Sequence, residues 1–405
     1  MNARKLIALF LMAGVMVIDG YDLNSMALAM PAIAGEMGLQ QTDFAWALSA
    51  VLLGLGAGAF LIAPLGDRFG RKPIIVAGAL GVAATTAATA LSTDVMHFAF
   101  WRLLTGLALG ACLANVSALS SEVAPEGKRS TVMAVVSAGI AVGAMLGGFT
   151  APEVIRAWGW QGMFFIPAGI ALVLGIGLAF LLDDDRPAPA AVKAKVPLVE
   201  LFRPPLVFPM ALFAAAYMTN AIALYMLTSW TVRILPPELF GPDLPKRLLG
   251  LMQGAGLPVS ILLAWLLDRW KPGTTLALGY AIIAAAFALI FVTPATVLTW
   301  TILLMIAGGG IAGIHGALMA LSPKLFPSNV LSSAIGTAVA VSRIGAIAAP
   351  IFGAKLIEYG ITPNGYFGVL IVPAAVCGLI ILLVPNVIRR TKAHYEGNPP
   401  ALDPV

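Results

Sequence analysis

Long apolar runs alternate with short polar connections along the whole chain. A helix that crosses a bilayer needs about 20 largely apolar residues. By that rule spans are expected near 6–29, 44–64, 73–92, 96–119, 130–151 and 161–182, then near 207–232, 247–267, 274–293, 296–320, 330–355 and 363–385. The pattern predicts an all-α membrane protein of about twelve transmembrane helices in two six-helix halves. Residues 1–182 form the N-terminal bundle and 207–385 the C-terminal one. The stretch 183–206 brings together Asp183, Asp184, Asp185, Pro187, Pro189, Lys193 and Lys195 and reads as a cytosolic linker. Residues 386–405 read as a cytosolic tail.

Composition agrees with the pattern. Of 405 residues, 60% are apolar and 11% charged, against about 25% charged in soluble domains. That deficit excludes an ordinary water-facing surface. A net charge of +5 would suit a nucleic-acid partner, but the basic residues sit in short loops. Arg4, Lys5, Arg68, Arg71, Lys72, Lys128, Arg129, Arg269, Lys271, Lys324, Arg389, Arg390 and Lys392 fall in the termini and even-numbered loops, whereas the loop from Pro31 to Asp43 has no Lys or Arg. The positive-inside rule then puts both termini in the cytosol, and a bacterial inner (cytoplasmic) membrane is the expected location. The run from Leu6 is too long for a cleavable signal peptide. Cys112 and Cys377 both lie in apolar runs, so neither a disulfide framework nor a metal site is expected.

The halves repeat. A shift of 201 residues carries Asp67-Arg68 onto Asp268-Arg269; a shift of 202 carries Gly106 onto Gly308, Ser120 onto Ser322, Pro125 onto Pro327, Ser130 onto Ser332 and Gly143 onto Gly345. Chance matching of Gly and Ala in apolar text is the competing explanation, but the Asp-Arg and Pro matches are not apolar. Repeated six-helix halves are a common plan of secondary transporters, with the substrate site near the midplane.

Ionisable residues inside a membrane are costly and mark function by default. Asp19 and Asp22 lie in the first span, in Asp19-Gly20-Tyr21-Asp22. Asp19 sits about 13 residues, or about 20 Å, from the start of that span. Three positions apart, the carboxylates share one helix face, and in low dielectric they disfavour double ionisation. A carboxylate that binds and releases a proton is what a proton-coupled carrier needs; the alternative is a helix-end pair wetted by an external vestibule. Gly20 between them is placed to loosen the helix. Arg343, mid-depth in the eleventh span, stays charged and needs an anion: a substrate carboxylate, held by its planar fork, or a permanent pair with Asp19 or Asp22. Arg102, opening the fourth span, either relays or gates a proton or snorkels to the interface; Gly106 and Gly110 after it allow close packing. Glu122, near Lys128 and Arg129, is read as a gate-forming ion pair rather than a substrate ligand.

Asn115, Asn220, Tyr217, Tyr225, Trp230, Gln253 and His315 lie at depths from which they could complete a small-molecule site. Tyr225 and Trp230 equally suit an interfacial belt, and His315 a satisfied core position, a hydrogen-bond partner or a proton site.

The loop Gly66-Asp67-Arg68-Phe69-Gly70-Arg71-Lys72, between spans two and three, resembles the signature loop of the major facilitator superfamily, and Asp268-Arg269-Trp270-Lys271 looks like its second copy. Gly70 suits a tight turn, and Asp67 can pair across a gate. Together these residues, with Arg68, Arg71, Glu122, Asp268 and Arg269, form the expected gating set. Asp19-Gly-Tyr-Asp22, Met30-Pro31-Ala32, Glu36-Met-Gly38-Leu39, the run from Asn115 through Ser120-Ser121-Glu122-Val-Ala-Pro125, and Ser342-Arg343-Ile344-Gly345 resemble the aromatic acid:proton symporter family. The resemblance implies uptake of hydroxybenzoate-like carboxylates driven by protons, with no cofactor beyond the coupling proton. It gives transport roles to Asp19, Asp22, Arg102, Glu122 and Arg343. Leu331 stands where the family often has arginine, Trp230-Thr-Val where it has Trp-Leu-Pro, and His315 where a small or amide residue is usual. These departures bear on substrate identity. Gly143-Ala144, where drug antiporters have Gly-Pro, argues against efflux. The expected partners are a small aromatic carboxylate and the lipid bilayer, in a monomer. A carrier of an aliphatic or N-heteroaromatic acid, or a proton-driven exporter, is the alternative. Neither a catalytic constellation nor a phosphate-binding loop supports an enzyme or an ATP-driven pump.

Overall fold

The structure is a computed structural model that describes residues 3–125, 129–182 and 201–389. The 183–200 part of the expected linker, residues 390–405 of the expected tail, and Lys128 lie outside the described residues. Every regular element among the described residues is helical. Twelve helices are long and apolar enough to cross a membrane: α1 (Arg4–Met37), α2 (Gln41–Ile62), α3 (Arg71–Thr89), α4 (Val95–Val123), α5 (Thr131–Trp158), α6 (Gly162–Leu181), α7 (Val207–Ile234), α8 (Leu244–Arg269), α9 (Pro272–Val292), α10 (Val297–Leu325), α11 (Ser333–Glu358) and α12 (Pro363–Arg389).

The spans fall where hydropathy puts them, but several run longer. α1 continues through Pro31 to Met37, and α5 through Pro152 to Trp158. Proline removes one backbone donor, and packed neighbours in a bundle re-satisfy the freed groups, so the prolines do not end the helices. Caps sharpen the starts: the Asp94 carboxylate accepts from the His97 amide at 2.9 Å ahead of α4, and the Thr296 hydroxyl accepts from the Thr299 amide at 3.3 Å ahead of α10.

By packing, the chain groups into two units. One comprises Met1–Ala191, Tyr225–Gly254 and Ile347–Tyr366; the other comprises Val192–Leu224, Ala255–Ala346 and Phe367–Val405. In a bilayer the hydrophobic effect does not drive helix against helix, so van der Waals contact through small residues does more of the work. The first unit shows this at α1 and α5. A Cβ on Gly20 would stand 1.8 Å from the Ile140 carbonyl oxygen, and one on Gly143 would stand 1.8 Å from that of Val17. Gly20 is therefore a packing residue inside a continuous helix, not the loosened point expected from sequence. Met12, Met16, Ile75, Cys112, Val116 and Leu178 fill the core beside this contact. Phe44, Phe98, Trp160 and Phe164 stack edge to face at the odd-numbered connections, where Trp160 Nε1 donates to Glu36 at 2.8 Å.

The same unit gathers the ends of α7, α8 and α11. Ser49 Oγ donates to the Ile347 carbonyl at 2.8 Å. Arg156 pairs with Asp243 at 2.8 Å, and Arg247 pairs with Glu153. In the second unit Trp300 meets Phe367, Phe213 meets Phe326, and the Cys377 thiol donates to the Ala216 carbonyl.

Candidate functional site

Three clusters hold most of the residues singled out by sequence. The first lies in the first unit, around α1. Asp22 and Arg102 are both fully buried, and Arg102 Nη1 donates to the Asp22 carboxylate at 2.7 Å. Arg102 Nη2 donates to the Asp22 backbone carbonyl at 2.9 Å, and the Thr86 hydroxyl donates to the second carboxylate oxygen at 3.1 Å. The arginine thus clamps one residue at two points, and α1, α3 and α4 all contribute. Arg102 lies about seven residues, or about 10 Å, into its helix. It does not snorkel, because a buried carboxylate offers it a charge-assisted bond. Asp19 is also buried, one turn away and within electrostatic reach of Cys112. Three-residue spacing puts both aspartates on one face of α1. Sequence reasoning missed Thr86; its one signal was a hydroxyl pair, Thr85-Thr86, inside an apolar span.

The second cluster lies in the second unit, where α7, α9, α10 and α11 contribute. The Tyr280 hydroxyl, fully buried, donates to Asn220 Oδ1 at 2.9 Å. Asn220 Nδ2 faces His315 Nδ1 at 3.0 Å. The Tyr217 ring lies 4.8 Å from the His315 ring, and its hydroxyl donates to the His315 carbonyl at 3.2 Å. Arg343 is half-buried and close enough for its charge to act on His315. Among the described residues Arg343 forms no ion pair or hydrogen bond. Within the first unit, Asp22 belongs to Arg102. Tyr280, a hydroxyl in the middle of an apolar span, was also missed.

The third cluster is the signature loop. Gly70 has φ +96° and ψ 148°, a region open essentially only to glycine. Gly70→Ala is expected to cost about 1–3 kcal/mol of strain, measured as a loss of thermal stability in purified protein. Arg71 pairs with Glu122 at 2.5 Å, so Glu122 meets the loop itself. The side chains of Asp67 and Arg129 lie outside the described residues, and Arg68 is exposed. Asn115 is buried beneath the loop. Its Nδ2 donates to the Ala63 and Ala111 carbonyls at 3.1 and 2.8 Å, and a Cβ on Gly66 would strike its Oδ1. Its amide therefore anchors the loop entrance. In the second copy, Asp268 faces Lys324 at 3.5 Å and Arg269 stacks over Trp265 at 4.1 Å.

The remaining candidates lie apart from these clusters. Trp230 is fully buried and donates to the Pro350 carbonyl at 3.0 Å, against Gly353; it is a packing residue in the first unit, not an interfacial belt residue. Tyr225 and Gln253 are half-buried and make no hydrogen bond among the described residues.

The sequence profile of the Major Facilitator Superfamily matches residues 10–350 and 248–404. A 3-(3-hydroxy-phenyl)propionate transporter of Escherichia coli (strain K12) is 29% identical over 96% of this chain and 96% of its own. The 4-hydroxybenzoate transporter PcaK of Acinetobacter baylyi is 27% identical over 94% of this chain and 90% of its own. A gentisate transporter of Corynebacterium glutamicum is 28% identical over 98% and 90%. Among solved structures, a bacterial homolog of the human lysosomal transporter Spinster, in an inward-facing and unoccupied conformation, superimposes with a TM-score of 0.76. It shares 14% identity and covers 99% of this chain and 100% of that one.

Proposed function

The chain belongs to the Major Facilitator Superfamily and is a multi-pass membrane transporter rather than an enzyme, and from that premise we propose that it takes up small aromatic carboxylates together with protons by alternating access. The observation that carries the reading is Arg343, a half-buried permanent cation that no described residue neutralises. An arginine in low dielectric needs an anion, and a carboxylate fits its planar fork at two points. Relatives that align along nearly the whole chain are named for hydroxyphenylpropionate, hydroxybenzoate and gentisate, which supports an aromatic acid as that anion.

Asp19 and Asp22 supply the proton chemistry in this reading. Asp22 is committed to Arg102, so protonating it would release the guanidinium, whereas Asp19 one turn below can charge and discharge without breaking that clamp. A proton moving down its gradient supplies about 1.4 kcal/mol per pH unit, and each charge moving with the membrane potential about 2.3 kcal/mol per 100 mV. The Arg71–Glu122 pair and the Gly70 turn act as the gating loop. An inner-membrane location with both termini cytosolic follows from the loop charges.

The test is uptake of labelled 4-hydroxybenzoate into proteoliposomes, with and without an inward proton gradient. Gradient-stimulated accumulation is the expected result. Transport unmoved by the gradient would remove the aspartates' role, and no movement of any aromatic acid by folded protein would remove the substrate class.

A further inference from the structure

The second cluster contains a feature that carboxylate binding alone does not use. Asn220 stands between one group of fixed polarity and one hydroxyl that can donate or accept. The Ile311 carbonyl can only accept, and it faces Asn220 Nδ2 at 3.5 Å. The Tyr280 hydroxyl donates to Asn220 Oδ1 from the other side. The Ile311 acceptor sets the amide with its nitrogen toward that carbonyl and His315, and an amide nitrogen can only donate. His315 Nδ1, 3.0 Å away, must therefore be the lone-pair nitrogen, which leaves the ring proton on Nε2. The neighbouring ring of Tyr217 holds the plane of the imidazole.

The Nε2–H donor leaves the ring on the side away from Asn220. No described residue accepts from it, and His315 is half-buried rather than sealed. It lies within electrostatic reach of Arg343. A fixed neutral donor and a cation in the same unit make two points of different chemistry: one takes a negative charge, the other an uncharged oxygen.

We propose that His315 is a specificity-determining residue that donates from Nε2–H to a ring oxygen of a hydroxylated aromatic carboxylate whose carboxylate is held by Arg343, and that Asn220 and Tyr280 are positioning residues that fix its tautomer. The inference rests on the function proposed above and deepens it. A site that hydrogen-bonds a substrate hydroxyl discriminates against the analogue lacking it, because its own polar group is then left unmet. Arg343 alone would not distinguish benzoate from 4-hydroxybenzoate.

The experiment measures KM and kcat for benzoate and for 3- and 4-hydroxybenzoate in proteoliposomes, for the parent and three variants, each checked for monodispersity and melting temperature. His315→Phe keeps a ring but removes the donor. It is expected to raise KM for the preferred hydroxylated acid about three- to tenfold more than for benzoate, the worth of one hydrogen bond. His315→Gln restores an N–H donor and recovers part of the preference. Tyr280→Phe removes one oxygen from a buried, packed ring. It is expected to raise KM for the hydroxylated acid about two- to fivefold more than for benzoate, an effect on KM rather than on kcat. If His315→Phe does not fold, Tyr280→Phe decides. The proposal is overturned if the variants shift all three acids by one factor, or shift none. A parent protein that moves the acids while the variants keep its preference sinks the inference alone. A parent protein that moves none sinks the function reading and the inference with it.

Discussion

Arg102→Met is expected to cost the folded protein about 3–5 kcal/mol, the range for breaking a buried ion pair from one side. The size follows from the burial of both partners, each with a fully inaccessible side chain. Methionine leaves the Asp22 carboxylate in a low-dielectric site with only the Thr86 hydroxyl for company, and an isolated buried charge is among the most costly arrangements a protein can hold. Asp22 relieves part of that cost by binding a proton, which also removes it from any coupling cycle. The readouts are the melting temperature of detergent-purified protein and gradient-driven uptake, and both should fall. The double variant Asp22→Leu/Arg102→Met separates the two roles. Replacing a whole buried pair by apolar groups is often neutral or stabilising, so its melting temperature should return toward the parent value. Its uptake should stay independent of the proton gradient. A double variant that folds and still responds to the gradient would show that the pair is structural only.

Arg343→Ala should give the opposite signature. Arg343 has no described ion-pair partner to leave stranded, so its removal uncovers no buried anion, and the melting temperature is expected to hold. What is lost is a charge-assisted bond to substrate, about 1.5–3 kcal/mol, or roughly tenfold to a hundredfold in apparent affinity. Arg343→Lys keeps the charge but not the planar fork and should fall between. The measurement is KM for 4-hydroxybenzoate uptake beside the melting curve. Unchanged KM with a collapsed melting temperature would make Arg343 a structural residue and withdraw the carboxylate site. Two intramembrane arginines thus carry distinct expectations, set by one difference: among the described residues one has met its anion and the other has not.

The amount legible in the sequence differs from element to element. The twelve spans were readable because a bilayer demands about 20 apolar residues from each, and that demand is local. The ends were less readable. Pro31 and Pro152 argue for a stop by local rules, yet both helices continue, because neighbours in a bundle supply what the proline withholds. The signature loop was legible through its resemblance to the family motif, and its Gly70 takes a backbone conformation closed to other residues. That Asp22, Arg102 and Arg343 are out of place in an apolar text was equally plain, since charge in a membrane is costly wherever it occurs.

Partnership was not legible. From sequence, Arg102 was as ready to snorkel as to pair, Arg343 as ready to take Asp22 as a substrate, and Asn115 as ready to bind a ligand as to anchor a loop. Which cation receives Asp22 depends on the approach of α1, α3 and α4, and the nearby α1–α5 contact, closed through Gly20 and Gly143, helps hold α1 in place. Thr86 and Tyr280 acquired roles only because helices distant in sequence brought them to Asp22 and Asn220. By itself the sequence determined how many helices there are, where the charges lie along them and which loop turns tightly, since each of these follows from a cost imposed on single residues by the bilayer or the backbone. The tertiary structure alone decided which charge met which, because an ion pair or a tautomer is a property of two or three side chains at about 3 Å, and no one-dimensional pattern encodes that distance.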